Sequence, residues 1–260
     1  MEPRKKRNEI LSVLKENTSI KQKIARNTQI TFNNLKEVLL ELTEEYNSEL
    51  KDRNDPEILF EFRDRGPFEC DLRIATDLLI FSMHSNVFEF DRNHPIWTTE
   101  YVQKDEMNSY SGIISIYNFL YDSFKYNRVD DLGYLVARLF INRNNHYFVE
   151  GKRQANGAEE GLPVPQQIEV KVREGEKISP EDIPREELAM IHPFKEEELS
   201  KAALRKIIET AILYSLEFDL LAPPYDFVKI VTVAQMNEKI SHSNITTGKR
   251  VGFKFNADDV

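Results

Sequence analysis

The residues with the strongest chemical potential are Asp131 and the run Glu150-Gly151-Lys152. Carboxylates are hard oxygen ligands, and an ammonium beside them can steady an anionic oxygen. For such a set to act, it must be held by rigid elements. The pattern around it supplies candidates. Ile113 to Leu120 is a run of Ile, Tyr and Phe that favours a buried strand. Asp130, Asp131 and Gly133 interrupt it. Tyr134 to Ile141 then alternates, with Leu135, Ala137, Leu139 and Ile141 on one face. Asn142-Arg143-Asn144-Asn145 has the chemistry of a hairpin turn, and His146 to Val149 returns as the partner strand. The polar cluster Glu150 to Gln154 therefore sits at a strand end.

An acid near one strand and a Glu-X-Lys on its hairpin partner resembles metal-dependent nucleases of the PD-(D/E)XK type. The resemblance covers a short part of the chain, and no proline precedes Asp131. It implies Asp131 and Glu150 as ligands of a Mg2+ ion and Lys152 as the catalytic ammonium. Under any other reading no cofactor is expected, and Glu150 and Lys152 form a surface pair worth little energetically.

The reading preferred from the sequence is a binding or regulatory protein without a catalytic set. Tyrosine and arginine dominate recognition surfaces. The midsection carries Tyr117, Tyr121, Tyr126, Tyr134 and Tyr147 near Arg128, Arg138, Lys152 and Arg153. Tyr126, Arg128, His146, Arg153 and Gln154 are the candidate binding residues. The expected partner is a protein or a second copy of the chain.

Other chemistries find less support. The five histidines, His84, His94, His146, His192 and His242, are scattered, without HExxH or a cysteine partner, so zinc spacing is missing. There is no GxSxG elbow, no Rossmann glycine fingerprint, and Thr246 to Arg250 reads as a turn rather than a phosphate loop. Cys70 is the only cysteine. It lies in a strand-like run and reads as a buried, inert thiol in a reducing compartment, hence a cytoplasmic location. The formal net charge is -9, which disfavours a general nucleic-acid binder because duplex binding relies on Lys and Arg. No apolar run approaches the roughly 20 residues that cross a bilayer, and no membrane partner is expected. MEPRKKRNEI has no apolar segment of the kind a secretory signal carries, and Arg4-Lys5-Lys6-Arg7 reads as a solvated terminus.

The remaining elements complete an α+β expectation: a mostly antiparallel sheet of meander and hairpins, an N-terminal helical segment, and one long C-terminal helix laid on the sheet. Residues 1–52 form the helical segment, in three short helices with Ser19 and Thr31 as caps. Three helices in that order also suggest a helix-turn-helix, the second alternative, with Asn33, Asn34 and Lys36 as readers. Residues 53–260 form the sheet unit. Leu59 to Phe62 and Phe68 to Ile74 flank a turn at Arg63 to Pro67, and Leu78 to Met83 pairs with Val87 to Phe90. A Glu-, Pro- and Gly-rich loop spans about residues 155–187, with one strand from Ile168 to Val172. Glu196 to Leu220 is the long helix, and Phe227 to Val233 and Val251 to Phe255 are the last strands.

Overall fold

In the computed structural model, residues 2–52, 58–151, 189–192, 198–220 and 230–244 are described. Lys152, Arg153, Gln154, the loop 155–187 and the segments Ile168 to Val172, Thr246 to Arg250 and Val251 to Phe255 lie outside them.

Helix α1 (Glu2–Asp52) is one helix of 51 residues. This replaces the three short helices expected, and no helix-turn-helix forms. The hydroxyl residues read as caps sit inside the helix. Thr28 and Thr43 show how such residues are accommodated: each donates its hydroxyl hydrogen to the carbonyl four residues back, Ile24 and Leu39, so neither competes for a free N–H. No glycine or proline stands between Arg4 and Asp55, so nothing breaks the ladder. The apolar stripe Ile24, Phe32, Leu35, Val38, Leu39 and Leu42 is buried. Burial of each such side chain contributes about 1.5–3 kcal/mol.

The sheet begins with β1 (Phe60–Asp64), β2 (Glu69–Ile74), β3 (Asp77–Met83) and β4 (Phe88–Glu89). A short helix, α2 (Glu100–Lys104), lies between the 3-10 turns Pro95–Thr98 and Glu106–Ser109. There follow β5 (Tyr110–Leu120), α3 (Tyr121–Lys125), β6 (Leu132–Asn142) and β7 (Tyr147–Gly151). The last elements are β8 (Ala189–His192), α4 (Lys201–Leu220), β9 (Ile230–Thr232) and α5 (Val233–Asn244). Among the described residues the strands make one sheet in the order β1-β2-β3-β5-β6-β7-β8, with β4 also on β5 and β9 also on β6. Every pairing is antiparallel. The α+β class and the antiparallel sheet are therefore as expected.

Three details differ. The longest helix is N-terminal; α4 is a shorter helix of 20 residues that begins at Lys201, in place of one long C-terminal helix from Glu196. The second difference is that β3 and β4 do not pair. The His84 N–H continues the β3 ladder by donating to the Ile113 carbonyl, and β4 pairs farther along β5, Phe88 opposite Ser111. The 11-residue β5 is long enough to serve both. Finally, the strand expected over Phe227 to Val233 is, in its described part, Ile230–Thr232, and Val233 opens α5, where the Thr232 hydroxyl accepts from the Gln235 N–H.

One face of the sheet carries α1 and α4 over the largest apolar cluster, including Leu72, Phe81, Ile116 and Leu139. Salt bridges Lys201–Glu37 and Arg205–Glu45 join the two helices. Helix α1 comes close enough to β5 that a Cβ on Gly112 would collide with the Thr28 side chain. The other face holds two smaller clusters. One lies under α5 around Tyr117, Phe119 and Val233, and the other lies under α2 around Phe90, Phe140 and Phe148. At the sheet's outer edge, the Asn47 side chain donates to the Phe60 carbonyl at 2.8 Å and accepts from its N–H at 2.9 Å. Asn47 thereby satisfies an edge residue of β1 as a neighbouring strand would.

Candidate binding surfaces

The two carboxylates of the nuclease pattern are not brought together. Glu150 on β7 lies directly opposite Arg138 on β6. Arg138 donates through Nε and a second guanidinium nitrogen to Glu150 Oε2, at 2.7 and 2.6 Å. His94 Nε2 stands 3.7 Å from Oε1, while His94 Nδ1 accepts the Ile96 N–H. Arg138 and Glu150 are buried, and His94 is half-buried. Asp131 lies just before β6, where it accepts from the Ser123 hydroxyl at 2.7 Å, with Arg128 at 3.9 Å. Extended chain from residue 131 to 138, at roughly 3.3 Å per residue, separates Asp131 from the Arg138–Glu150 pair by about 20 Å. Ligand bonds to Mg2+ are about 2.0–2.1 Å, so the pair cannot share one ion. Glu150 instead neutralises a buried guanidinium. Among the described residues no three of His, Cys, Asp and Glu are grouped to hold a metal.

The expected binding residues also separate. Tyr126 ends α3 and is exposed, with Lys125 and Arg128 over its ring at 5.0 and 5.7 Å. His146 lies beyond the opposite end of β6. There the Tyr101 hydroxyl is 2.7 Å from Nδ1, and Asn142 Nδ2 donates to the same hydroxyl. The length of β6 divides these two groups, so Tyr126, Arg128 and His146 do not form one surface. Tyr117 and Tyr134 are buried, and Asn118 Nδ2 donates to the Tyr134 hydroxyl at 2.9 Å. These two pack rather than present themselves.

Two features escape a reading by motif. The first is Glu69 and Asp71, which alternate on β2 and face away from α1. Both are buried, with Arg63 and Arg65 as counter-ions. Glu69 Oε1 and Oε2 and Asp71 Oδ1 have no hydrogen-bond partner among the described residues. Burial pushes the Glu69 carboxyl up to about 7, opposed by Arg65 and aided by Asp71. Burial raises Asp71 as well, again opposed by Arg65. Glu69, Ser82, Ser115, Arg138 and Glu150 stand directly opposite one another in succession. They form a polar line across five strands, between the two apolar clusters of that face. Cys70 points the other way, into the core, where burial raises its thiol pKa.

The second feature is the N-terminal part of α1. From Ile24 onward the inner stripe is covered. Before it, Ile10, Leu11, Val13 and Leu14 are 58, 54, 50 and 54% exposed, although they occupy less than two turns. Lys5, Lys6 and Arg7 precede them, also exposed. This stem buries none of these four large apolar side chains. The sequence signal was available: an apolar cluster at residues 10–14 in a stretch without helix breakers. No helix among the described residues is long and apolar enough to cross a membrane.

Compared with protein-family models, curated proteins and solved structures, the chain shows no significant match.

Proposed function

We propose that the protein is a non-catalytic binding or regulatory protein that docks a protein partner through the stem of α1. The observation that carries this reading is the group of half-exposed large apolar side chains, Ile10, Leu11, Val13 and Leu14, on a helix whose later turns are buried. Exposed apolar clusters of this kind mark interaction sites. Anchored in the core at its far end, the stem is ordered before it meets a partner, which lowers the entropic cost of association.

The test compares the full chain with an Ile10→Glu/Leu14→Glu variant by native mass spectrometry and by pull-down at micromolar concentration. Association that the variant loses supports the reading. Absence of any partner and any self-association, or association unchanged in the variant, overturns it.

A further inference from the structure

The net charge of the chain averages two unlike parts. Residues 2–26 carry eight Lys and Arg against three Glu, a balance of +5 in a chain of -9, so the remainder stands at -14. The stem of α1 is a cationic rod on an acidic body. Part of that charge has a direction. At roughly 100° per residue, Lys5, Asn8, Ser12, Ser19, Lys23 and Arg26 fall within an arc of about 60°, and all six are exposed. Ile24, Thr28 and Phe32, which are buried, lie on the opposite side of the helix, as do Ile10, Val13 and Leu14. The arc therefore points away from the sheet, and a partner laid along it does not meet the body.

We propose that this outer arc binds double-stranded DNA through its phosphates. The inference goes beyond the docking reading, because it uses the other side of the stem and stands or falls apart from it. Duplex binding runs on Lys and Arg displacing counterions, and here the cations are gathered on one exposed surface. Lys5, Lys23 and Arg26 span about 32 Å of helix at 1.5 Å per residue, close to one turn of B-DNA, about 34 Å. Asn8, Ser12 and Ser19 stand between them, residue types that donate to phosphate and sugar. A helix about 10–12 Å across enters a major groove about 12 Å wide. An anionic bilayer fits less well. Interfacial helices sink an apolar face into the lipid beside their cations, and between Lys5 and Arg26 this arc has no large apolar side chain. The acidic remainder of the chain repels phosphate and confines the contact to the stem.

The test titrates a labelled DNA duplex of about 20 base pairs and mixed sequence with the full chain, read by fluorescence anisotropy from roughly 25 to 200 mM salt. Binding at micromolar concentration is expected at the low-salt end, and the association constant should fall with salt at a log–log slope of about -3, as for three phosphate contacts. Lys23→Glu/Arg26→Glu should weaken binding about tenfold or more, with an unchanged circular dichroism spectrum because both side chains are exposed. Lys125→Glu/Arg128→Glu makes the same change in net charge at two other exposed positions and should leave binding within about twofold. Ile10→Ser/Leu14→Ser, which removes apolar groups that the docking reading needs, should leave DNA binding as it is, so the two readings fail separately. No binding at about 100 micromolar protein in the lowest salt, a salt slope near zero, or equal losses in the two charge-reversed variants overturns the inference. So does retention on vesicles of phosphatidylserine and phosphatidylcholine without binding of the duplex, which assigns the arc to a lipid surface.

Discussion

Glu69 and Asp71 place two carboxylates on one face of β2, with three oxygens that find no hydrogen bond among the described residues. Such burial favours the neutral acid. For Glu69 the folded pKa, about 7, lies above the ordinary glutamate value of 4.5. The folded state therefore holds a proton that the unfolded state has released, and this group's contribution to stability is lost as pH rises from about 4.5 through 7. A displacement of that size corresponds to on the order of 3 kcal/mol. Glu69→Gln should thus stabilise the protein at pH 8 relative to wild type and give little gain at pH 4.5, as read by urea denaturation at both values. A gain equal at both would contradict this account. Arg138 and Glu150 make the opposite case, a buried pair that is well hydrogen-bonded. Removing one partner strands a charge and should cost about 3–5 kcal/mol, whereas Arg138→Met with Glu150→Leu should cost far less than the sum of the two single changes. Chemical denaturation of the four proteins in that cycle measures it. The sequence could place Glu150 at a strand end but not opposite Arg138, because pairing register depends on how far each strand runs beyond its turn.

The elements show where local pattern suffices and where it fails. The alternation from residue 58 to 83, the turn at Arg63 to Pro67 and the Asn142 to Asn145 hairpin could all be read directly, since turn chemistry and period-two patterning are local. β3 and β4 misled because a bend at Ser85 and Asn86 resembles a hairpin turn, and only the length of β5 shows that both strands lie along it. Helix α1 misled through its Ser and Thr residues, which favour caps in isolation but are tolerated within a helix when they bond back to the preceding turn. The better signal was the absence of glycine and proline from Arg4 to Asp55. The docking of this helix depends on Gly112, where a side chain would strike Thr28. Gly112→Ala should destabilise by about 1–3 kcal/mol. Thr28→Ala in the same protein should recover part of that loss in a thermal melt, and no recovery would place the strain elsewhere.

At the scale of the molecule, the sheet's two faces do different things. One takes the apolar sides of α1 and α4, while the other runs a polar line between two apolar clusters. The stem belongs to neither. Since Ile10, Leu11, Val13 and Leu14 are all exposed, deleting residues 2–18 should leave the Tm of dilute protein within about 2 °C of wild type. A large drop would mean that the stem packs on its own body. The function of such a surface was not legible as a catalytic motif, because docking needs only shape, apolar area and period, none of which requires a particular residue. The unbroken helix has a mechanical consequence. Without a hinge between its clamped and free halves, α1 is a handle fixed to the sheet, and anything that grips it receives the rest of the molecule at a set bearing, so that twisting the one turns the other.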